Sequence, residues 1–492
     1  MMKEWITMLD ALRHQANRTV TENGAATLLT TRSDCLDLFS TVGALREASE
    51  DTIRERFRRA YAENPDLAVR ILFYGRDVRG GLGERRVFRI LLQDLAQQHP
   101  QSVQKNLERI AEMGRYDDLF ALMDTPCQGD VVALVTRQLR EDMEHAQRGE
   151  PISLLAKWMP SVNTSNAETV RLGRMMARQL GMSERAYRKM LSRLRAELRI
   201  LENSLREMDY TFSYESQPSC AMFRYRNAFL RHDEQRYLAY MDQVSTGRAK
   251  LHTAALTPCD LVDRAINFHG TQEERKILDT TWNALEDFTD GRSALCVVDT
   301  SGSMFGFGHP RPFAVALSLG MYFAQRNRGM FRNHFITFST HPRLIEIKGE
   351  DFVEQVQYGC SFCEVANTNI QAVFELILQS AVTHHLPQKE MPEMIYIISD
   401  MEFDICTRGA SLTNFEYAKK LYAKHGYHLP QVVFWNVQSR QMQQPVDRNE
   451  QGTVLVSGYS PRLFQMVLSG QMDPYQAMLE VLSKDRYACI CA

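Results

Sequence analysis

Up to about residue 290 the apolar positions recur three and four residues apart, and strand-like runs are scarce. Leu67, Val69, Ile71 and Leu72, then Val87, Phe88, Ile90, Leu91 and Leu92, read as two packed helices. The glycine-rich turn Gly80-Gly81-Leu82-Gly83 separates them. Further helices are predicted over 168–180, 183–209 and 233–246, with Asp66, Ser183 and Asp233 as N-caps. The spacing predicts an all-α region over 1–290, built from stacked helix pairs, with no clean fixed-period repeat.

Beyond residue 290 short apolar runs alternate with amphipathic stretches. Strands are predicted over 295–298, 335–338, 344–347, 394–398, 432–435 and 453–456. Helices are predicted over 313–326, 370–382 and 414–425, with a last one from near Asp473. Such alternation predicts a mostly parallel sheet covered on both faces, an α/β domain over 291–492. The fold class expected is therefore multidomain, all-α followed by α/β.

The first chemistry appears where the 295–298 strand ends, at Asp299-Thr300-Ser301-Gly302-Ser303. Open α/β sheets bind ligands at the carboxyl ends of their strands. One carboxylate and two hydroxyls at alternate positions on a tight turn make a cluster of hard oxygens, which suits Mg²⁺. Asp400 ends the 394–398 strand segment and falls on the same rim of a parallel sheet. Thr368, just before the 370–382 helix, adds a third hydroxyl.

This D-x-S-x-S sequence with a distant Thr and a strand-terminal Asp resembles the metal-ion-dependent adhesion site of von Willebrand factor A domains. The resemblance implies a Rossmann-like A domain. It assigns Asp299, Ser301, Ser303, Thr368 and Asp400 to Mg²⁺ or another divalent cation, with one position left for an acidic group of a partner. That family often has Asp after the Thr, and this chain has Asn369.

A second resemblance lies in the first half. Tyr74-Gly75-Arg76-Asp77-Val78-Arg79-Gly80-Gly81-Leu82-Gly83-Glu84-Arg85, Gly114-Arg115-Tyr116-Asp117-Asp118-Leu119 and Trp158-Met159-Pro160-Ser161 resemble the TROVE module of Ro ribonucleoproteins. Pro218-Ser219-Cys220-Ala221-Met222, Tyr225-Arg226-Asn227-Ala228-Phe229 and His232-Asp233 resemble a Ro-like family of bacteria, phages and plants still more closely. The resemblance implies HEAT-like helical repeats that close into a ring with a C-terminal A domain. It also implies binding of small structured RNAs or single-stranded RNA ends.

The charge pattern supplies a place for RNA. Between 171 and 199 nine basic residues face only Glu184 and Glu197. Arg171, Arg174 and Arg178 share a helix face, Arg185, Arg188 and Lys189 continue the run, and Tyr187 is expected to stack on a base. These seven are the expected RNA-binding residues.

Composition narrows the picture. The 492 residues carry 58 Lys+Arg and 60 Asp+Glu, a net charge of -2, so any RNA contact must be a localised face. With 44% hydrophobic and 24% charged residues the chain is globular. No apolar window approaches the ~18 residues of a membrane span, and the N-terminus lacks the pattern of a signal peptide. The ten cysteines are dispersed, as in a cytosolic chain. The glycine-rich turn lacks the Lys-Ser/Thr of a phosphate loop, and no H-E-x-x-H or G-x-S-x-G occurs. The expectation is a cytoplasmic, non-catalytic RNA-binding protein. The alternative is a protein-interaction scaffold in which a partner's acidic residue completes the metal site.

Overall fold

The structure is a computed structural model and describes all residues except 1–7, 9–11, 13–14, 199, 290, 292, 307, 309, 339–340, 363–368, 405–411 and 468–472. The chain divides into two compact units. One comprises Met1–Asn64 with Leu256–Lys484, the other Pro65–Ala255 with Asp485–Ala492.

The first unit contains an antiparallel hairpin, β1 (Arg18–Val20) and β2 (Ala26–Leu28). It also contains a six-stranded sheet: β3 (Ala294–Asp299), β4 (His334–Phe338), β5 (Leu344–Glu346), β6 (Met394–Ser399), β7 (Gln431–Asn436) and β8 (Thr453–Ser457). The strand order is β5-β4-β3-β6-β7-β8, parallel throughout except for antiparallel β5 at the edge. β3 and β6 are buried at every position, as strands sandwiched between helices must be. The helix Pro312–Arg326 is apolar along almost its whole length and covers one face. Gly320 permits its close approach, because a Cβ there would lie 2.3 Å from Val298 Cγ2.

The chain leaves β3 toward β4 on one side and returns to β6 on the other. The order therefore reverses between β3 and β6, which opens a crevice at their carboxyl ends.

Two features depart from an all-α region over 1–290. The first is the hairpin. Thr19, Val20 and Thr27 are β-branched residues around a turn with Asn23 and a positive-φ Gly24, a composition that favours a hairpin. β2 extends through Leu28 N to Gln444 O (3.1 Å) and Gln444 N to Leu28 O (2.8 Å). The second is the unit boundary. The helices Pro258–Ile266 and Gln272–Asn283 belong with the sheet. Arg275 ties the second of them to Asp351 and Glu354.

In the second unit the predicted 183–209 helix is two helices, Glu184–Glu197 and Leu201–Arg206. Leu198 is extended between them, and Asn203 Nδ2 satisfies the loosened carbonyls of Arg195 (2.8 Å) and Leu198 (2.7 Å). Ser183 caps as expected. Asp66 lies inside the first turn of Pro65–Arg76, and Asp233 accepts a bond from Tyr214 Oη (2.8 Å) instead of capping.

The motifs of the first half converge in this unit. Arg76 Nε meets Asp118 Oδ2 at 2.8 Å, with 3% and 0% of the side chains exposed. Arg89 Nε binds the other Asp118 oxygen at 2.7 Å, and Arg115 chelates Asp117. The Arg115 guanidinium also lies 4.0 Å over the Trp158 ring. Asp77, fully buried, accepts from Arg79 N (3.0 Å), Tyr487 Oη (2.9 Å) and Arg486 Nη2 (2.6 Å). Gly81 is required because a Cβ would sit 2.0 Å from Tyr74 O. These motif residues fix the architecture of the helical unit.

Candidate functional site

Asp299 is the last residue of β3 and Asp400 follows the last residue of β6, so both stand at the switch point. Asp299 is fully buried. Its Oδ1 accepts from Ser301 N (2.9 Å) and its Oδ2 from Ser399 Oγ (2.5 Å). Ser301 Oγ and Ser303 Oγ are 3.0 Å apart. Asp400 Oδ1 accepts from Glu402 N at 3.2 Å, while its buried Oδ2 has no hydrogen-bond partner among the described residues.

Burial, reinforced by the Asp400 charge, pushes the Asp299 carboxyl up to about 7. Burial also raises Asp400, against the opposing pull of Ser303 and Arg440. Two buried carboxyls beside paired hydroxyls, one carboxylate oxygen without a hydrogen bond among the described residues, form a set of hard oxygens. That donor set fits a divalent cation. Thr368, expected as a fourth member, lies outside the described residues. Asn369 accepts from Ala372 N at 2.9 Å and caps the Ile370–Thr383 helix, so here it serves as a cap.

Sequence reasoning missed Ser399 and Arg440. Ser399 was visible as a hydroxyl beside the strand-terminal Asp. Arg440 follows β7, and in a parallel sheet the segment after the neighbouring strand reaches the same rim. Its Nη2 donates to Ser303 O at 2.7 Å and lies 3.5 Å from Asp400 Oδ2.

The expected RNA-binding residues lie in the other unit. In Glu184–Glu197 the buried face is Tyr187, Leu191 and Leu194, at helical spacing. Arg185, Arg188, Lys189 and Arg193 therefore point to solvent. These four and the exposed Arg178 have no ion pair among the described residues. Arg171 is held by Glu168 (2.7 Å) and Asp124 (2.9 Å), and Arg174 by Glu184 (3.1 Å). Their positive charge is locally offset.

Tyr187 corrects the expectation. It is 0% exposed, and its hydroxyl donates to Pro160 O at 2.9 Å, so it is a core residue and unable to stack on a base. Arg195 is also structural, binding Ala156 O, Met159 O and Ser161 Oγ at 2.7–2.9 Å. Both residues clamp the Trp158-Met159-Pro160-Ser161 motif. Beside this clamp a cleft of 340 Å³ opens, with Arg188, Lys189, Asn163, Ser192 and Arg206 among its lining residues.

The geometry defines a class: an α/β sheet with hard oxygens at its switch point, joined in one chain to a helical unit that exposes basic residues without ion pairs among the described residues. Residues 293–486 match the family described as a domain of unknown function, DUF7788. Residues 21–124 and 176–290 match another domain of unknown function, DUF2828. The two matches meet between 290 and 293, where the hydrophobic pattern changes. The chain is similar to uncharacterized protein L728 of Acanthamoeba polyphaga mimivirus, 28% identical over 510 residues covering 95% of this chain and 87% of that protein. Among solved structures it is similar to the Ro (RSR) protein of Deinococcus radiodurans, with a TM-score of 0.35 and 10% identity over 93% of this chain and 94% of that one.

Proposed function

We propose that this chain is a non-catalytic RNA-binding protein of Ro type, with a von Willebrand factor A-like domain that holds Mg²⁺. The observation that carries the RNA part is the set of exposed cations, Arg178, Arg185, Arg188, Lys189 and Arg193, which lack acidic partners among the described residues. Unpaired arginines condense onto phosphates and release counterions, whereas paired ones must first give up a partner. The resemblance of the short motifs to the TROVE module supports the same reading. Cross-linking followed by RNA sequencing tests it: enriched small RNAs are expected, and recovery no greater than background sinks it.

The metal part rests on the buried Asp400 oxygen, which has no hydrogen bond among the described residues, beside Asp299 and the two serine hydroxyls. Asp299, Ser301, Ser303 and Asp400, with Thr368, would hold the ion. A bound divalent cation supplies a Lewis-acidic position for an acidic group. This favours a second reading, a scaffold whose protein partner donates that group. A pulldown that survives RNase but fails in Asp299→Ala would establish it.

The raised Asp299 carboxyl fixes a pH signature. Its folded form holds a proton more tightly than the unfolded chain does. Metal-free stability should therefore fall as pH rises from about 4 to about 7. Mg²⁺ requires the ionised form and should oppose that fall. At a hundredfold excess over Kd it should add about 2.7 kcal/mol. Thermal melts with and without chelator check this. The Mg²⁺ effect should be larger near pH 8 than near pH 5, and absent in Asp299→Ala.

A further inference from the structure

The rim holds a cation that the proposed metal ligands do not need. Arg440 lies with Nη2 3.5 Å from Asp400 Oδ2 and Nη1 3.9 Å from Glu22 Oε2. The Asp400 side chain is 0% exposed and the Glu22 side chain 56%, so one guanidinium bridges a buried carboxylate and a solvent-facing one. Neither separation is a full hydrogen bond. The strongest bond of this guanidinium is to Ser303 O, on the metal loop itself.

Glu22 is held in place by its backbone. It sits in the turn between β1 and β2, and Glu22 N donates to Glu402 Oε2 at 2.9 Å. Asn23 Nδ2 donates to Glu402 O at 2.7 Å, and Thr21 Oγ1 to Phe403 O at 2.5 Å. The turn is thus pinned to the two residues that follow Asp400 and Met401. Gln443 Nε2 holds the other Glu402 oxygen at 2.6 Å, and Glu22 Oε2 is the solvent-facing carboxylate oxygen already 3.9 Å from Arg440 Nη1.

We infer that Arg440 is an internal counter-cation. It balances Asp400 when no metal is bound, and Glu22 receives its guanidinium when a divalent ion enters. The inference rests on the metal reading above. A guanidinium and a divalent ion cannot both sit against one buried carboxylate without strong repulsion. Arg440 has room to leave, with 31% of its side chain exposed. Arg440 is then a positioning residue that sets metal affinity without contacting the ion.

The test is calorimetric titration of the full chain with Mg²⁺. Arg440→Gln should bind about tenfold tighter than wild type, because a competing charge is gone. Glu22→Gln should bind a few-fold weaker, because the displaced guanidinium has lost its resting place. In the Arg440→Gln background, Glu22→Gln should change nothing, since it acts only through Arg440. Arg440→Gln should also lower the melting temperature in chelator while leaving the Mg²⁺-saturated one unchanged. If Arg440→Gln does not fold without metal, Arg440→Lys with its weaker fork should still bind tighter than wild type.

Unchanged or weaker binding in both Arg440 variants, with wild type binding normally, overturns the inference and leaves the metal reading intact. Equal weakening by Glu22→Gln in both backgrounds would mean that Glu22 meets the ion itself, which also overturns it. No binding by wild type or any variant removes the metal reading and this inference together.

Discussion

Replacing Asp118 by Ala is expected to destabilise the helical unit by about 3–5 kcal/mol. The reason is what stays behind. Arg76 is 3% exposed, and Asp118 Oδ2 is its buried partner at 2.8 Å. Without it a guanidinium remains in the core uncompensated. Arg89 Nε and the Arg115 backbone N–H also lose an acceptor, although Arg89 keeps Asp117 at 2.7 Å. Urea unfolding followed by circular dichroism reads the loss. A double substitution, Arg76→Met with Asp118→Leu, should recover much of it, because apolar pairs often match buried ion pairs in stability. A loss under about 1 kcal/mol for Asp118→Ala would show that water reaches Arg76.

The second large effect is on RNA. Changing Arg178, Arg188 and Lys189 together to Gln should weaken single-stranded RNA binding by about two orders of magnitude near physiological salt. The slope of log K against log salt should shrink by about 2, from roughly 0.7 per lost phosphate contact. Filter binding at several salt concentrations measures both. Two controls separate surface from core. Arg171→Gln breaks an existing pair and should cost far less affinity. Tyr187→Phe should cost about 1 kcal/mol of stability, from its bond to Pro160, and leave RNA binding unchanged. Equal losses in the triple variant and in Arg171→Gln would argue for diffuse attraction over a defined face.

These outcomes bear on how much the sequence disclosed. The elements of the sheet were legible because burial on both faces leaves runs such as Met394–Ser399 almost wholly apolar. Asp299 and Asp400 were legible because a carboxylate that closes such an apolar run is buried only at a cost, which marks it for a partner or an ion. Tyr187 was misread because its basic neighbours mask its spacing from Leu191 and Leu194, which is a core spacing. The hairpin was missed because its strands are three residues each, too short for a periodicity argument, and only the Asn23-Gly24 turn signalled it. Arg440 depends on strand order, which no local pattern encodes. The Arg76–Asp118 pair spans 42 positions, so a motif match alone left its structural role unread.

The return of the chain to the helical unit has a consequence for its biogenesis. Asp77 is satisfied by Arg486 and Tyr487, 409 and 410 positions later. Asp66 Oδ1 likewise accepts from Ala492 N at 2.8 Å. The sheet unit in turn draws on residues before Asn64 and after Leu256. During synthesis the helical unit is the first of the two whose main body is complete, yet Asp77 waits as a buried, unneutralised charge until residue 486 emerges. Vectorial, domain-by-domain folding on the ribosome is thereby disfavoured. A fragment cut at the change of pattern near residue 290 would inherit the same deficit.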